Sequence, residues 1–140
     1  MKHQFRLFWV TAFAAQLAGG VGQAQDAAFG GEIYKTYCAV CHGKAGAGDG
    51  MVGELFAQRP ANLKHLSRGN GGVFPTERVT DAIYGRGKIA GHGPTKMPIW
   101  GGYFMAEALE SRAIDPAEAA MITKGRVLSV VAYLETLQEE

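Results

Sequence analysis

The pentapeptide Cys38-Ala39-Val40-Cys41-His42 is the most informative stretch of this chain, because it is a Cys-x-x-Cys-His motif. Two cysteines at this spacing on one turn of chain bring both thiols to the same edge of a planar porphyrin, where they add to its two vinyl groups. The histidine that follows points under the ring and ligates the iron. This pattern is the signature of covalent c-type haem attachment. The sequence therefore predicts one haem c, covalently held through Cys38 and Cys41, with His42 as an axial ligand.

Two other site types use similar residues and are less favoured. A thiol–disulfide oxidoreductase also carries Cys-x-x-Cys, but it places the motif in a βαβ unit. Here the motif ends an amphipathic helix, and no alternating apolar stretch is long enough to predict a strand. A zinc site would need more ligands than one cysteine pair, and the other histidines lie far from it in the sequence.

Length and composition limit the chain to one small domain. It has 140 residues, a net charge of +1 and 47% hydrophobic residues, which indicates a globular core and gives no sign of nucleic-acid binding. Glycine is unusually frequent, with 20 residues, against a usual share of roughly 7%. Because glycine weakens regular structure, we expect much of the chain to form loops.

The N-terminus has the features of a secretory signal peptide. Lys2 and Arg6 precede an apolar run over residues 7–18, and a small-x-Ala exit ends at Ala24. The run is shorter than the roughly 20 residues that span a bilayer, although an uncleaved anchor is an alternative. We predict a signal peptide over residues 1–24, a domain over residues 25–140, a periplasmic location and no permanent membrane span.

The rest of the sequence predicts an all-α fold with three to five helices and long glycine-rich loops. A helix is predicted from about Ala27 to Cys41, a short one over Thr76–Tyr84, and a long one that Asp115 caps and Pro116 begins. Residues 51–57 form at most a short helix. Residues 59–74 and 85–102 are predicted to be mainly loop.

The second axial ligand decides whether such a haem transfers electrons or binds a small molecule. Met97 is the best placed, because it lies in a glycine-rich loop and is followed by the stiff Pro98. His92 in the same loop is the alternative. Methionines on helical segments are expected to fill the core. The remaining candidates are Met51, Met105, Met121, His65 and the lysines.

These motifs together resemble the class I c-type cytochromes, over about Asp26 to Gln138. The carriers of the resemblance are the pattern Gly30-x-x-x-Tyr34-x-x-x-Cys38, the stretch Val131-Ala132-Tyr133-Leu134 and the variant Met97-Pro98-Ile99-Trp100-Gly101. The resemblance implies a cytochrome c-like fold around one haem. It also implies that the first and last helices cross near Gly30, Tyr34 and Tyr133.

The resemblance extends to the surroundings of the haem. Pro60 is similar to a family proline whose carbonyl accepts a hydrogen bond from the proximal histidine, which would orient His42 and raise its basicity. The loop before Met97 is long and glycine-rich, so the resemblance does not assign the residues that contact the haem propionates. The candidates for those contacts are Arg59, Asn62, Tyr84, Arg86 and Trp100.

The function expected is electron transfer by a His42/Met97-ligated haem between periplasmic donor and acceptor proteins. No catalytic acid–base pair or nucleophile is evident, so we do not expect an enzyme. Lysines on the loops near the haem edge are candidates to steer docking on an acidic partner; they are Lys44, Lys88 and Lys96. Two alternatives are a ligand sensor or peroxidase-like protein with an open sixth position, and a cytochrome subunit of a larger oxidoreductase.

Overall fold

The computed structural model of the chain describes residues 24–86, 97–112 and 114–139. All of the predicted signal peptide except Ala24 lies outside these residues, and so do Lys88, His92 and Lys96. Within the described ranges every regular element is helical, which confirms the all-α class. No helix in these ranges is both long and apolar enough to cross a membrane.

Five α-helices and three short 3-10 turns build the described structure. Helix α1 covers residues 24–37 and is followed after Cys38 by α2, Ala39–His42. The remaining helices are α3, Thr76–Tyr84; α4, Trp100–Arg112; and α5, Pro116–Thr136. The 3-10 turns are Gly53–Leu55, Leu63–His65 and Arg68–Asn70.

Helices α1 and α5 cross in direct backbone contact. A Cβ atom added to Gly30 would lie 1.8 Å from the carbonyl oxygen of Ser129, so only glycine fits at this point. Beside the contact, the rings of Tyr34 and Tyr133 pack with their centroids 5.2 Å apart. The crossing implied by the family resemblance is therefore confirmed, together with the reason for a glycine at position 30.

Helix α5 begins where its capping residues predict. The Asp115 carboxylate accepts hydrogen bonds from the backbone N–H groups of Ala117, at 2.8 Å, and Glu118, at 3.1 Å. Pro116 occupies the first turn, where its missing N–H costs nothing. The helix then buries Val127, Val130, Val131 and Leu134 in the core.

Helix α4 differs from the prediction, which placed a loop up to Gly102. The pair Gly101-Gly102 predicts a loop, but both glycines lie inside the helix, and Gly101 allows close packing on α3. A Cβ atom there would lie 2.6 Å from Cδ1 of Tyr84 and 2.9 Å from its carbonyl oxygen. Phe104 and Ala108, one turn apart, are 1% and 0% exposed. Tertiary burial therefore outweighs the low helix propensity of the glycines.

Candidate functional site

The Cys-x-x-Cys-His motif begins at Cys38, the turn residue between α1 and α2, and its other four residues form the single turn of α2. Backbone N–H groups of Cys41 and His42 both donate to the Cys38 carbonyl, at 3.1 and 2.9 Å. This backbone arrangement brings both cysteines to the lining of one cavity. The local backbone thus produces the shared thiol edge that the spacing predicts.

The His42 imidazole is buried, and a hydrogen bond at its Nδ1 orients the ring. Its Nδ1 lies 3.0 Å from the carbonyl oxygen of Ala61, and since a carbonyl can only accept, Nδ1 carries the proton and donates it. In the neutral ring the lone pair then resides on Nε2, which is the form that binds a metal. The ring is 7% exposed.

The acceptor for His42 differs from the one that the resemblance implied. It belongs to Ala61 and not to Pro60, one residue earlier. The Pro60 carbonyl instead faces Gly48, where an added Cβ would lie 2.5 Å from its oxygen. The proline still contributes to the site, because Pro60 lines the same cavity as Cys41.

A glycine-rich loop over residues 43–53 packs against the motif from outside. The N–H of Gly48 donates to the His42 carbonyl at 2.8 Å, and that of Gly50 to the Cys41 carbonyl at 3.1 Å. A Cβ on Gly50 would lie 2.4 Å from the carbonyl carbon of Cys41. Gly50 is therefore required where the loop approaches the backbone of the motif, and the two hydrogen bonds hold the loop against it.

Two adjoining cavities meet at the motif and share Cys38, His42 and Met97. The first is also lined by Cys41 and Pro60, so all five residues predicted for the site line one cavity. The second has a volume of about 470 Å³, which is in the range of roughly 300–1,000 Å³ typical of cofactor pockets. Its walls are mainly apolar side chains from α3 and α5.

The Cys38 thiol is not activated for redox exchange. Burial, with a smaller contribution from Cys41, raises the pKa of the Cys38 thiol to about 12. Thiol–disulfide oxidoreductases depend on a lowered thiol pKa, since the thiolate is the nucleophile. Among the described residues, moreover, no group of three or more His, Cys, Asp or Glu is placed to hold a metal ion. The raised pKa weighs against a thiol–disulfide oxidoreductase.

A family model described as cytochrome c oxidase, cbb3-type, subunit III matches residues 25–114. The chain belongs to this family. The match covers more than half of the chain and includes the cysteine motif and Met97, but it ends before α5. No curated protein and no solved structure matches the chain.

Membership of the cbb3-type subunit III family confirms the resemblance to c-type cytochromes. It indicates haem-based electron transfer and a covalently bound haem c. The residues at the site fit that group: two thiols for attachment, an imidazole with a metal-binding nitrogen, a thioether and apolar walls.

The other ligand candidates within the described ranges do not line the two cavities at the motif. Met51 and Met121 are 82% and 70% exposed, so Met121 does not fill the core as expected. The sulfur of Met105 lies 3.9 Å from the Thr123 hydroxyl, between α4 and α5. His65 faces the Glu139 carboxylate at 3.5 Å. Among the described candidates for the second ligand, Met97 alone shares a cavity with His42.

The propionate candidates are only partly at the cytochrome site. Arg59 and Trp100 line the first cavity. The Asn62 side chain instead accepts from the N–H of Lys64, capping a 3-10 turn. The guanidinium of Arg86 stacks on Tyr84, 4.1 Å from the ring centroid, and neither of these two residues lines the cavities at the motif.

Arg78 is a cavity residue that the sequence analysis missed. Among the described residues lining the second cavity, it alone carries a full positive charge. It lies on α3 four residues before Ala82, which lines the same cavity, so the helical spacing was the available signal. It therefore joins Arg59 as a candidate partner for a haem carboxylate.

An aromatic cluster closes the Met97 side of the site. It consists of Tyr37, Trp100, Tyr103 and Phe104, whose ring centroids all lie within 6.0 Å of one another. Its border is polar, because Glu107 accepts from the Tyr37 hydroxyl at 3.4 Å and pairs with Arg126 at 2.9 Å. The cluster ties α1, α4 and α5 together beside the cavity.

Proposed function

We propose that the chain is an electron-transfer protein with one haem c, attached through Cys38 and Cys41 and ligated by His42 and Met97. The observation that carries the proposal is that both cavities share the motif residues Cys38 and His42 with Met97. When bound, the haem iron alternates between ferrous and ferric states and so supplies the redox chemistry.

The chain's residues would favour the reduced state. A methionine thioether as axial ligand raises the reduction potential relative to a second nitrogen ligand. The apolar walls of the second cavity act in the same direction, since they exclude water and disfavour extra charge. The bond from His42 to the Ala61 carbonyl acts in the opposite direction, because it makes the imidazole a stronger donor.

We assign exchange with partner proteins to the surface beside Cys41. Three exposed apolar side chains lie on the segments that surround it: Val40 at 43%, and Met51 and Leu55 both at 82% exposure. Lys44 is exposed on the adjoining loop. A small apolar surface with a nearby cation suits brief, salt-dependent docking on an acidic redox protein.

We further propose that residues 1–24 direct export and that the domain works in the periplasm. The description of the family as an oxidase subunit supports one specific partner class, a larger oxidase assembly. Purification from membranes solubilised in mild detergent would test this: a stable assembly brings a second chain through size-exclusion chromatography, whereas a free carrier elutes alone.

The axial ligation is tested by the spectrum of the ferric protein and of Met97→Ala. A methionine-to-iron charge-transfer band is expected in the near-infrared for the native protein and should be absent in the variant. Met121→Ala is the matched control, because Met121 is exposed on α5. A high-spin native spectrum would contradict the proposal and favour a ligand sensor or a peroxidase-like protein. A low-spin native spectrum unaffected by Met97→Ala would assign the ligand to another residue, with His92 first.

A further inference from the structure

The C-terminal end of the chain folds back onto the segment that holds His42. We define residues 61–67 as the proximal segment, and Gln138 with Glu139 as the C-terminal clasp. The clasp follows α5 and makes three hydrogen bonds to backbone groups of the proximal segment. Ser67 N–H donates to Gln138 Oε1 at 2.9 Å, Gln138 Nε2 donates to the Leu63 carbonyl at 2.8 Å, and Glu139 N–H donates to the Lys64 carbonyl at 2.9 Å.

The Gln138 amide uses all of its hydrogen-bonding groups in this arrangement. Besides the bonds to the proximal segment, its Nε2 donates to the Leu134 carbonyl in the last turn of α5, at 2.7 Å. An amide has two donors and an acceptor on one planar group, so no other side chain of this length can make the same three bonds. Gln138 therefore joins the end of α5 to both ends of the Leu63–Ser67 stretch.

The proximal segment in turn shapes the site. Its first residue, Ala61, supplies the carbonyl that accepts from His42 Nδ1. Leu63 and Leu66 line the second cavity. The Leu63 N–H donates to the Gly46 carbonyl at 2.7 Å. The segment is thus held between the glycine-rich loop on one side and Gln138 on the other.

We infer that Gln138 is a positioning residue for His42, acting through Leu63 and Ser67 on the carbonyl of Ala61. It keeps that carbonyl at hydrogen-bond distance and so limits rotation of the imidazole. The inference deepens the proposed function, because it concerns the orientation of the histidine assigned there as iron ligand. It is independent of the identity of the second ligand.

The test is solvent exchange of the His42 Nδ1 proton, followed by NMR in the reduced haem-loaded protein. Gln138→Ala removes all three side-chain bonds, and exchange of the ring proton should accelerate by about tenfold or more. The amide protons of Ser67 and of the cavity-lining Leu63 should accelerate with it. Thr136→Ala is the matched control, because the Thr136 hydroxyl donates to the Tyr133 carbonyl in its own helix. In this variant, exchange of the His42 ring proton should remain within about twofold of the native rate.

Gln138→Glu keeps the size and the acceptor but removes both donors and places a carboxylate against two carbonyls. It should accelerate the His42 proton at least as much as the alanine variant. Unchanged exchange at His42 in both variants would overturn the inference. So would equal acceleration at amides in α3, because that pattern reports a general loss of stability. The visible spectrum tests haem ligation separately, so a failure of the proposed function is distinguishable.

Discussion

The crossing of α1 and α5 and the cavity between α3 and α5 lie side by side but are closed in different ways. At the crossing, backbone meets backbone at Gly30 and Ser129, with no space for a methyl group. At the cavity, apolar side chains such as Val79 and Val130 face a volume of about 470 Å³. Protein atoms alone fill the crossing, whereas the apolar cavity walls would pack against the covalent group that the thiols would hold. Folding and cofactor attachment are therefore expected to be linked.

The largest effect is expected when both haem attachment points, Cys38 and Cys41, are removed. Cys38→Ala with Cys41→Ala should abolish covalent haem and, with it, the material that the cavity walls pack against. We expect loss of most of the stability, which for a typical small domain is about 5–15 kcal/mol. Haem retention after denaturing electrophoresis and far-ultraviolet circular dichroism during a urea titration measure both effects. A cooperative unfolding transition with native helical content would show that the crossing alone specifies the fold.

The crossing itself is tested by one methyl group. Gly30→Ala places a Cβ at 1.8 Å from the Ser129 carbonyl oxygen, so the helices must separate. We expect a destabilisation of about 3 kcal/mol in the haem-loaded protein. The same substitution at Gly125, where an added Cβ meets nothing within 4 Å, should stabilise α5 by about 0.5–1 kcal/mol. Urea midpoints that shift equally at both positions would refute the close-contact explanation.

Elements of the chain differ in how far the sequence predicts them. Local signals identify the motif at Cys38 and the cap at Asp115, because each depends on residue type at a fixed spacing, whereas the role of Gly30 is implied by the family resemblance. Helix α4 escapes such reasoning, since it is stabilised by burial of Phe104 and Ala108 and packs closely on Tyr84 at Gly101. The helix propensity of a segment does not account for packing against residues outside that segment.

The surroundings of the site are predicted less well than its ligands, for a related reason. Which carbonyl faces His42 depends on the turn of a loop, and the structure selects Ala61 because the Pro60 carbonyl faces Gly48. Arg78 and Gln138 reach the site region from α3 and from the end of α5. Their positions follow from tertiary packing, and no short motif marks either residue.

Tyr34 belongs to both regions and gives the smallest of the expected destabilisations. Its ring is fully buried, packs on Tyr133 at the crossing and lines the second cavity. Its hydroxyl donates to the Gly43 carbonyl at 2.6 Å, just after His42. Burial raises the pKa of the Tyr34 hydroxyl, so the group stays protonated and remains a donor at neutral pH. This hydroxyl is thus one polar link between the crossing and the ligand turn.

Tyr34→Phe keeps the ring and removes that link, leaving the Gly43 carbonyl without this partner. We expect a loss of about 0.5–1.5 kcal/mol of unfolding free energy, the net contribution of one hydrogen bond, because the Gly43 carbonyl still accepts from the N–H of Gly46 at 3.2 Å. Tyr133→Phe is the matched control, because it preserves the ring pair and changes a residue that is only half-buried. If the Tyr34 hydroxyl serves the ligand turn, its loss should also accelerate amide exchange at Gly48, which donates to the His42 carbonyl. Equal exchange in the two variants would confine its role to the crossing and separate the two regions completely.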